Sequence, residues 1–209
     1  MKSSTHKLGH TLSPTGMWKG LKKLGPIVGI FFAAVLIYRT GNTMVGPFFS
    51  LYLKEELKLD MTRMSTFFAV KALATLIVAP IAGRLSDRIG RKPVFLTGMV
   101  ALTGTMLGYT YVSNYEHVLI VRTFESISNA ILMPTTRVYV VDLMTPENRG
   151  FGMGLYMTVM DEASTMGAMF GGFIADLYSY TTIFQIGAAT AVTCLAIVFA
   201  KVPEPSQED

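Results

Sequence analysis

Long apolar runs alternate with short polar connections along the chain. Six runs, at roughly 27–53, 64–86, 94–112, 117–141, 150–175 and 182–200, each reach the length of about 20 mostly apolar residues that a bilayer-spanning helix needs. Each is expected to be helical, because lipid cannot satisfy the hydrogen bonds of a broken backbone. Residues 54–63 join the first and second runs, 113–116 the third and fourth, and 144–149 the fourth and fifth. The pattern predicts an all-α integral membrane protein with six transmembrane helices. Residues 1–25 form a cytoplasmic basic tail, 26–201 the bundle, and 202–209 the start of a linker or a C-terminal tail.

Composition supports the same class. Of 209 residues, 51% are hydrophobic and 15% charged, against about 25% charge in an ordinary soluble domain. The net charge of +4 follows from where Lys and Arg fall and requires no nucleic acid. With the N-terminus inside, eleven basic residues lie on the inner side: Lys2, Lys7, Lys19, Lys22, Lys23, Arg84, Arg88, Arg91, Lys92, Arg149 and Lys201. Only Lys54, Lys58 and Arg63 lie outside, so the positive-inside rule puts both termini in the cytoplasm. Trp18 with Lys19, Lys22 and Lys23 suits an interfacial anchor or a plain tail. The lone Cys194 sits in an apolar run and forms no intrachain disulfide.

Several positions break the apolar pattern where lipid would not tolerate them. Arg39, Gly41, Asn42, Gly46 and Pro47 interrupt the first span, as in helices that line transporter cavities. Arg39, Lys71, Arg122, Glu125, Arg137, Asp161 and Glu162 are ionisable and lie inside spans. Each costs about 2.5–3.5 kcal/mol at a helix centre, so they are expected to face an interior polar path for substrate or protons. Arg122 and Glu125 are three apart, on one helix face and close enough to pair. Asp161 and Glu162 stand near the middle of the fifth span, where burial suits a proton carrier; they point about 100° apart, so one of the two faces the cavity. Lys71 and Arg137 lie nearer helix ends and serve either the cavity or the interface. Small residues spaced by four, Gly104/Gly108, Gly150/Gly154 and Gly167/Gly171, suit close helix packing.

A weak repeat adds an architectural prediction. Gly83-x-x-x-Asp87 precedes Phe95 as Gly172-x-x-x-Asp176 precedes Phe184, 89 residues later. An odd number of spans separates the copies, so they lie on opposite faces, and only the first is rich in Arg and Lys. Two inverted three-helix repeats would leave this mark.

The stretch Gly83-Arg84-Leu85-Ser86-Asp87-Arg88-Ile89-Gly90-Arg91-Lys92 fits the pattern G-x-x-x-D-R-x-G-R-K, with Pro80 three residues before it. It resembles the loop between helices 2 and 3 of the major facilitator superfamily of transporters. The resemblance covers the whole chain as the N-terminal six-helix half of a twelve-helix facilitator fold. It implies a gating role for Gly83, Asp87, Arg88, Gly90, Arg91 and Lys92 together with Asp142 at the end of helix 4. Two further motifs are similar to those of the drug:proton antiporter branch. R-x-x-Q-G appears as Arg122-Thr123-Phe124-Glu125-Ser126, with Glu and Ser replacing Gln and Gly. G-x-x-x-G-P-x-x-G-G appears as Ala163-x-x-x-Gly167-Ala168-x-x-Gly171-Gly172, without its first Gly and its Pro.

The resemblance implies proton-coupled efflux of small amphipathic compounds by alternating access. Its partners would be membrane lipids, a small-molecule substrate, protons and a second six-helix half, in a cell membrane. Arg39, Asn42, Arg122, Glu125, Asp161 and Glu162 are the candidate path, and Gly167, Gly171 and Gly172 the packing motif. A non-transporting six-helix remnant or interaction subunit, or an uptake carrier of the same superfamily, is the alternative. No H-E-x-x-H, G-x-S-x-G or G-x-x-x-x-G-K-[ST] is present, so no enzyme activity, metal or cofactor is expected.

Overall fold

The computed structural model describes residues 24–205; the expected anchor at Trp18 and its lysines lies outside them. Six long helices follow one another: α1 Pro26–Glu55, α2 Met61–Ile89, α3 Arg91–Gly108, α4 Tyr115–Asp142, α5 Arg149–Leu177 and α6 Tyr180–Lys201, with one 3-10 turn, Pro146–Asn148, before α5. On length and apolar composition alone, α1, α2 and α6 are fit to cross a membrane. The others are less apolar because α3 opens on Arg91 and Lys92, while α4 and α5 carry Arg122, Glu125, Arg137, Asp161 and Glu162.

Local chemistry sets the ends. Asp60 caps α2 by accepting from the Arg63 backbone N–H at 3.3 Å, and Asn114 caps α4 by accepting from His117 at 2.9 Å. The expected third span, to residue 112, closes early: α3 ends at Gly108, and tightened bonds from Thr110 to Leu107 and from Tyr111 to Gly108 turn the chain into α4. α1 differs from expectation in the other direction. It runs unbroken through Gly41, Gly46 and Pro47, burying Val28, Phe31, Val35, Met44 and Phe49 on its inner stripe.

Packing follows the repeat. α1 lies against α5 and α6, α4 lies against α2 and α3, and α3 meets α6. Exchanging the triplet α1–α2–α3 for α4–α5–α6 maps these pairings onto themselves. The helix starts agree: Pro26 with Tyr115, Met61 with Arg149 and Arg91 with Tyr180 stand 88 or 89 residues apart. The matched phenylalanines do the same work at opposite ends. Phe95 packs with Phe31 and Tyr139, and Phe184 with Tyr52 and Tyr109. The bundle is therefore two inverted three-helix units.

Helix contacts depend on small residues at one seam. A side chain at Gly167 would meet the Thr40 carbonyl oxygen at 2.6 Å, and one at Gly171 the Met44 carbonyl at 3.0 Å, so α5 touches the backbone of α1 there. Gly172 leaves ordinary room, 3.5 Å from Phe48. Gly104, Gly150 and Gly154 face no neighbour within 4 Å, so of the expected pairs Gly167/Gly171 is the one that joins helices. α2 and α5, equivalent in the two repeats, are the least covered: Leu76, Ile77 and Ile81 on one, and Met169, Phe173 and Leu177 on the other, are exposed.

Candidate functional site: a charged cavity and a bridged helix corner

α1, α2, α4 and α5 line a cavity of about 520 Å³, within the range of small-molecule sites. Its polar lining comes from the positions that broke the apolar pattern, including Arg39, Asn42, Lys71, Arg122, Glu125 and Arg137. Pro47 and Pro134, inside α1 and α4, also line it. Lys71 and Arg137 therefore lie at the cavity wall.

The centre is a buried ion pair. Arg122 and Glu125 are 6% and 7% exposed, and Arg122 Nη1 donates to Glu125 Oε2 at 2.6 Å. The same oxygen accepts from the Tyr109 hydroxyl at 2.6 Å, while Glu125 Oε1 accepts from Asn129 Nδ2 at 3.3 Å. Asn42 Nδ2 donates to Asn129 Oδ1 at 3.3 Å, which joins α1 to this network. The Arg122 guanidinium lies 4.4 Å from the centre of the Phe49 ring, a cation–π contact that favours its charge in a low dielectric. Glu125 is thus saturated, whereas Arg122 Nε, Arg39 Nε and Asn42 Oδ1 are buried without a hydrogen-bond partner.

Asp161 and Glu162 are less buried than expected. Both are exposed on α5, because that helix turns Ala163, Gly167 and Gly171 toward α1 instead. Asp161 lines a smaller adjoining cavity of about 190 Å³ with Arg39 and Arg137, and Glu162 lines neither cavity. The helices described do not supply the burial expected of a proton carrier at these two positions.

The signature loop builds a second constellation at one end of the bundle. Arg91, first residue of α3, donates from Nε to Asp142 Oδ2 at 2.8 Å and from Nη1 to Ser86 Oγ at 2.9 Å. Nη1 also bonds Asp87 closely. One guanidinium so ties the ends of α2, α3 and α4. The chain after α6 closes over it. Glu204 accepts from the backbone N–H groups of Arg91 and Lys92, capping α3, and Lys92 Nζ donates to the Val202 and Phe199 carbonyls at 2.6 and 3.0 Å. Gly90 enables this close approach: its φ is +102°, and a side chain would meet Glu204 Oε1 at 2.6 Å. Arg88 is exposed, and Arg91 makes the contacts with Asp142 and Ser86. Gly83 faces open space.

Sequence reasoning missed Asn129, Tyr109 and Glu204. Asn129 had a signal, standing four residues after Glu125 on the same face. Tyr109 and Glu204 act across the fold and had none.

The Major Facilitator Superfamily model matches residues 31–209. The chain belongs to this superfamily. It is 26% identical to the Multidrug transporter protein MdtP of Bacillus subtilis over 175 residues, covering 84% of this chain and 31% of that protein. It is 30% identical to Multidrug resistance protein 1 of B. subtilis over 155 residues, covering 74% and 40%. Among solved structures, the human organic anion transporter MFSD10 (TETRAN) superposes with a TM-score of 0.70 at 18% identity, covering 86% of this chain and 47% of that one. The chain thus spans less than half the length of these relatives. The fold is half of the superfamily's, that of an integral membrane protein.

Proposed function

We propose that the chain forms one half of a secondary active transporter that exports small amphipathic compounds in exchange for protons. The observation that carries this reading is the 520 Å³ cavity with a buried Arg122–Glu125 pair at its wall. A membrane protein that only anchors or scaffolds gains nothing from burying these charges, whereas a carrier needs them. Export is favoured by relatives named for multidrug transport and multidrug resistance.

The network suggests how a proton could couple to the cavity. A proton on Glu125 removes its charge, and Arg122 then stands unneutralised beside the cavity. Release of the proton restores the pair. A second six-helix half would supply the facing wall, and the two would rock around the cavity. The Arg91–Asp142–Asp87 corner would hold one of the two states, with the basic end cytoplasmic.

The test is pH-gradient-driven transport of an amphipathic dye in vesicles bearing the native protein. Arg122→Ala and Asp87→Asn are expected to abolish transport while membrane insertion persists. Full activity in either variant contradicts the role assigned to that residue. No pH-dependent flux in the unaltered protein contradicts the transporter reading and favours a non-transporting membrane subunit.

A further inference from the structure

The charges of the cavity are unbalanced. Arg39, Lys71, Arg122 and Arg137 line it, with Glu125 as its single carboxylate among the described residues. That carboxylate is already occupied by Arg122, Tyr109 and Asn129. Among the described residues, Arg39, Lys71 and Arg137 form no ion pair with any carboxylate. Asp161, in the adjoining cavity, pairs with neither Arg39 nor Arg137. Two guanidinium nitrogens, Arg39 Nε and the Nε of the 94%-buried Arg122, are enclosed without an acceptor. A buried donor left unsatisfied is costly, and a cluster of uncompensated cations on one cavity wall attracts an anion.

The apolar part of the lining comes from Val45, Ala79, Ala130 and Met133. A ligand that matches both parts has an apolar body and a negatively charged head. We infer that the cavity takes amphipathic anions, compounds bearing a carboxylate or sulfonate beside an apolar ring or chain. Arg39, Lys71 and Arg137 receive the charged head, and the vacant Nε of Arg122 is within the same wall. The inference rests on the transport reading for its biological setting, but binding alone tests it.

The experiment compares two probes of one shape and opposite charge, radiolabelled 2-naphthalenesulfonate and 2-naphthyltrimethylammonium. Binding is measured by scintillation proximity on the native protein in nanodiscs of zwitterionic lipid. The sulfonate should bind at least about tenfold more tightly than the ammonium. Lys71→Gln and Arg137→Gln, both at exposed cavity positions, should each weaken it roughly three- to tenfold. Arg39→Gln should do so more, while Arg63→Gln, at the far end, should change nothing. Equal affinities, a preference for the ammonium, or indifference to all three cavity substitutions overturns the inference.

The same probes in energised vesicles separate it from the transport reading. Sulfonate that binds through Arg39 and Lys71 but is never moved leaves the anion site standing and defeats transport. Ammonium that is moved while the sulfonate neither binds nor moves defeats the anion site and leaves transport standing.

Discussion

The inverted repeat places the same corner at both ends of the bundle, built differently. At the basic end, α3 begins with Arg91, which reaches Asp142, the last residue of α4, and Asp87 and Ser86 of α2. At the opposite end, α6 begins with Tyr180, whose hydroxyl donates to Glu55, the last residue of α1, at 2.6 Å. Asp176 stands where Asp87 does in the other copy, but no hydrogen bond joins it to Tyr180 among the described residues. The topology is shared, and one residue type changes the strength of the tie. A guanidinium offers a rigid fork of donors that bridges two carboxylates, whereas a phenol offers one hydrogen. A transporter that opens alternately needs a corner at each end that can part, and the two corners here are unequal. In the proposed transport cycle, the basic end is the stronger latch.

The comparison breaks most visibly at Arg91. Arg91→Ala removes the guanidinium bonds to Ser86, Asp87 and Asp142, and the initial transport rate in vesicles should fall at least about tenfold, since hydrogen bonds to charged groups contribute about 1.5–3 kcal/mol each. Gly90→Ala attacks the same corner through the backbone. The positive φ and the contact with Glu204 should cost about 1–3 kcal/mol, seen as a lowered melting temperature of the detergent-purified protein. Tyr180→Arg transplants the stronger latch to the other end, facing Glu55 and Asp176. Transport should slow several-fold as both ends become held, and a rise in rate would contradict the equivalence of the two corners. The smallest effect belongs to Tyr180→Phe. It deletes one exposed hydrogen bond of about 0.5–1.5 kcal/mol, and the rate should stay within about twofold.

Much of this fold was legible because lipid leaves the chain few choices. The six apolar runs became six helices, and three matched residues, Gly83, Asp87 and Phe95 with Gly172, Asp176 and Phe184, marked the repeat that the packing then displayed. The Arg122–Glu125 pair was legible as well, since a three-residue separation on a helix nearly fixes the contact. What one helix could not reveal was direction. Asp161 and Glu162 read as buried because they sit mid-span, yet α5 turns its glycine seam inward and leaves both exposed. The Glu204 cap was invisible for another reason: it joins α3 to a segment more than a hundred residues away, and no local spacing encodes that contact. The shorter α3 followed from turn bonds at Leu107 and Gly108 within an apolar run that hydropathy alone continues.

The central claim is that the cavity opens to one side at a time and that the Arg91 corner biases which side. Asn129→Cys in a Cys194→Ala background, with any cysteine elsewhere in the native protein also replaced, places a reactive thiol at the cavity wall, beside Glu125. Its labelling by a membrane-impermeant maleimide, applied from either face of the native protein in sealed vesicles, reads that access directly. Labelling should come predominantly from the face opposite the Arg91 corner and shift toward the basic end when Asp87→Asn weakens the latch. Equal labelling from both faces, or a pattern indifferent to Asp87→Asn, would contradict the account.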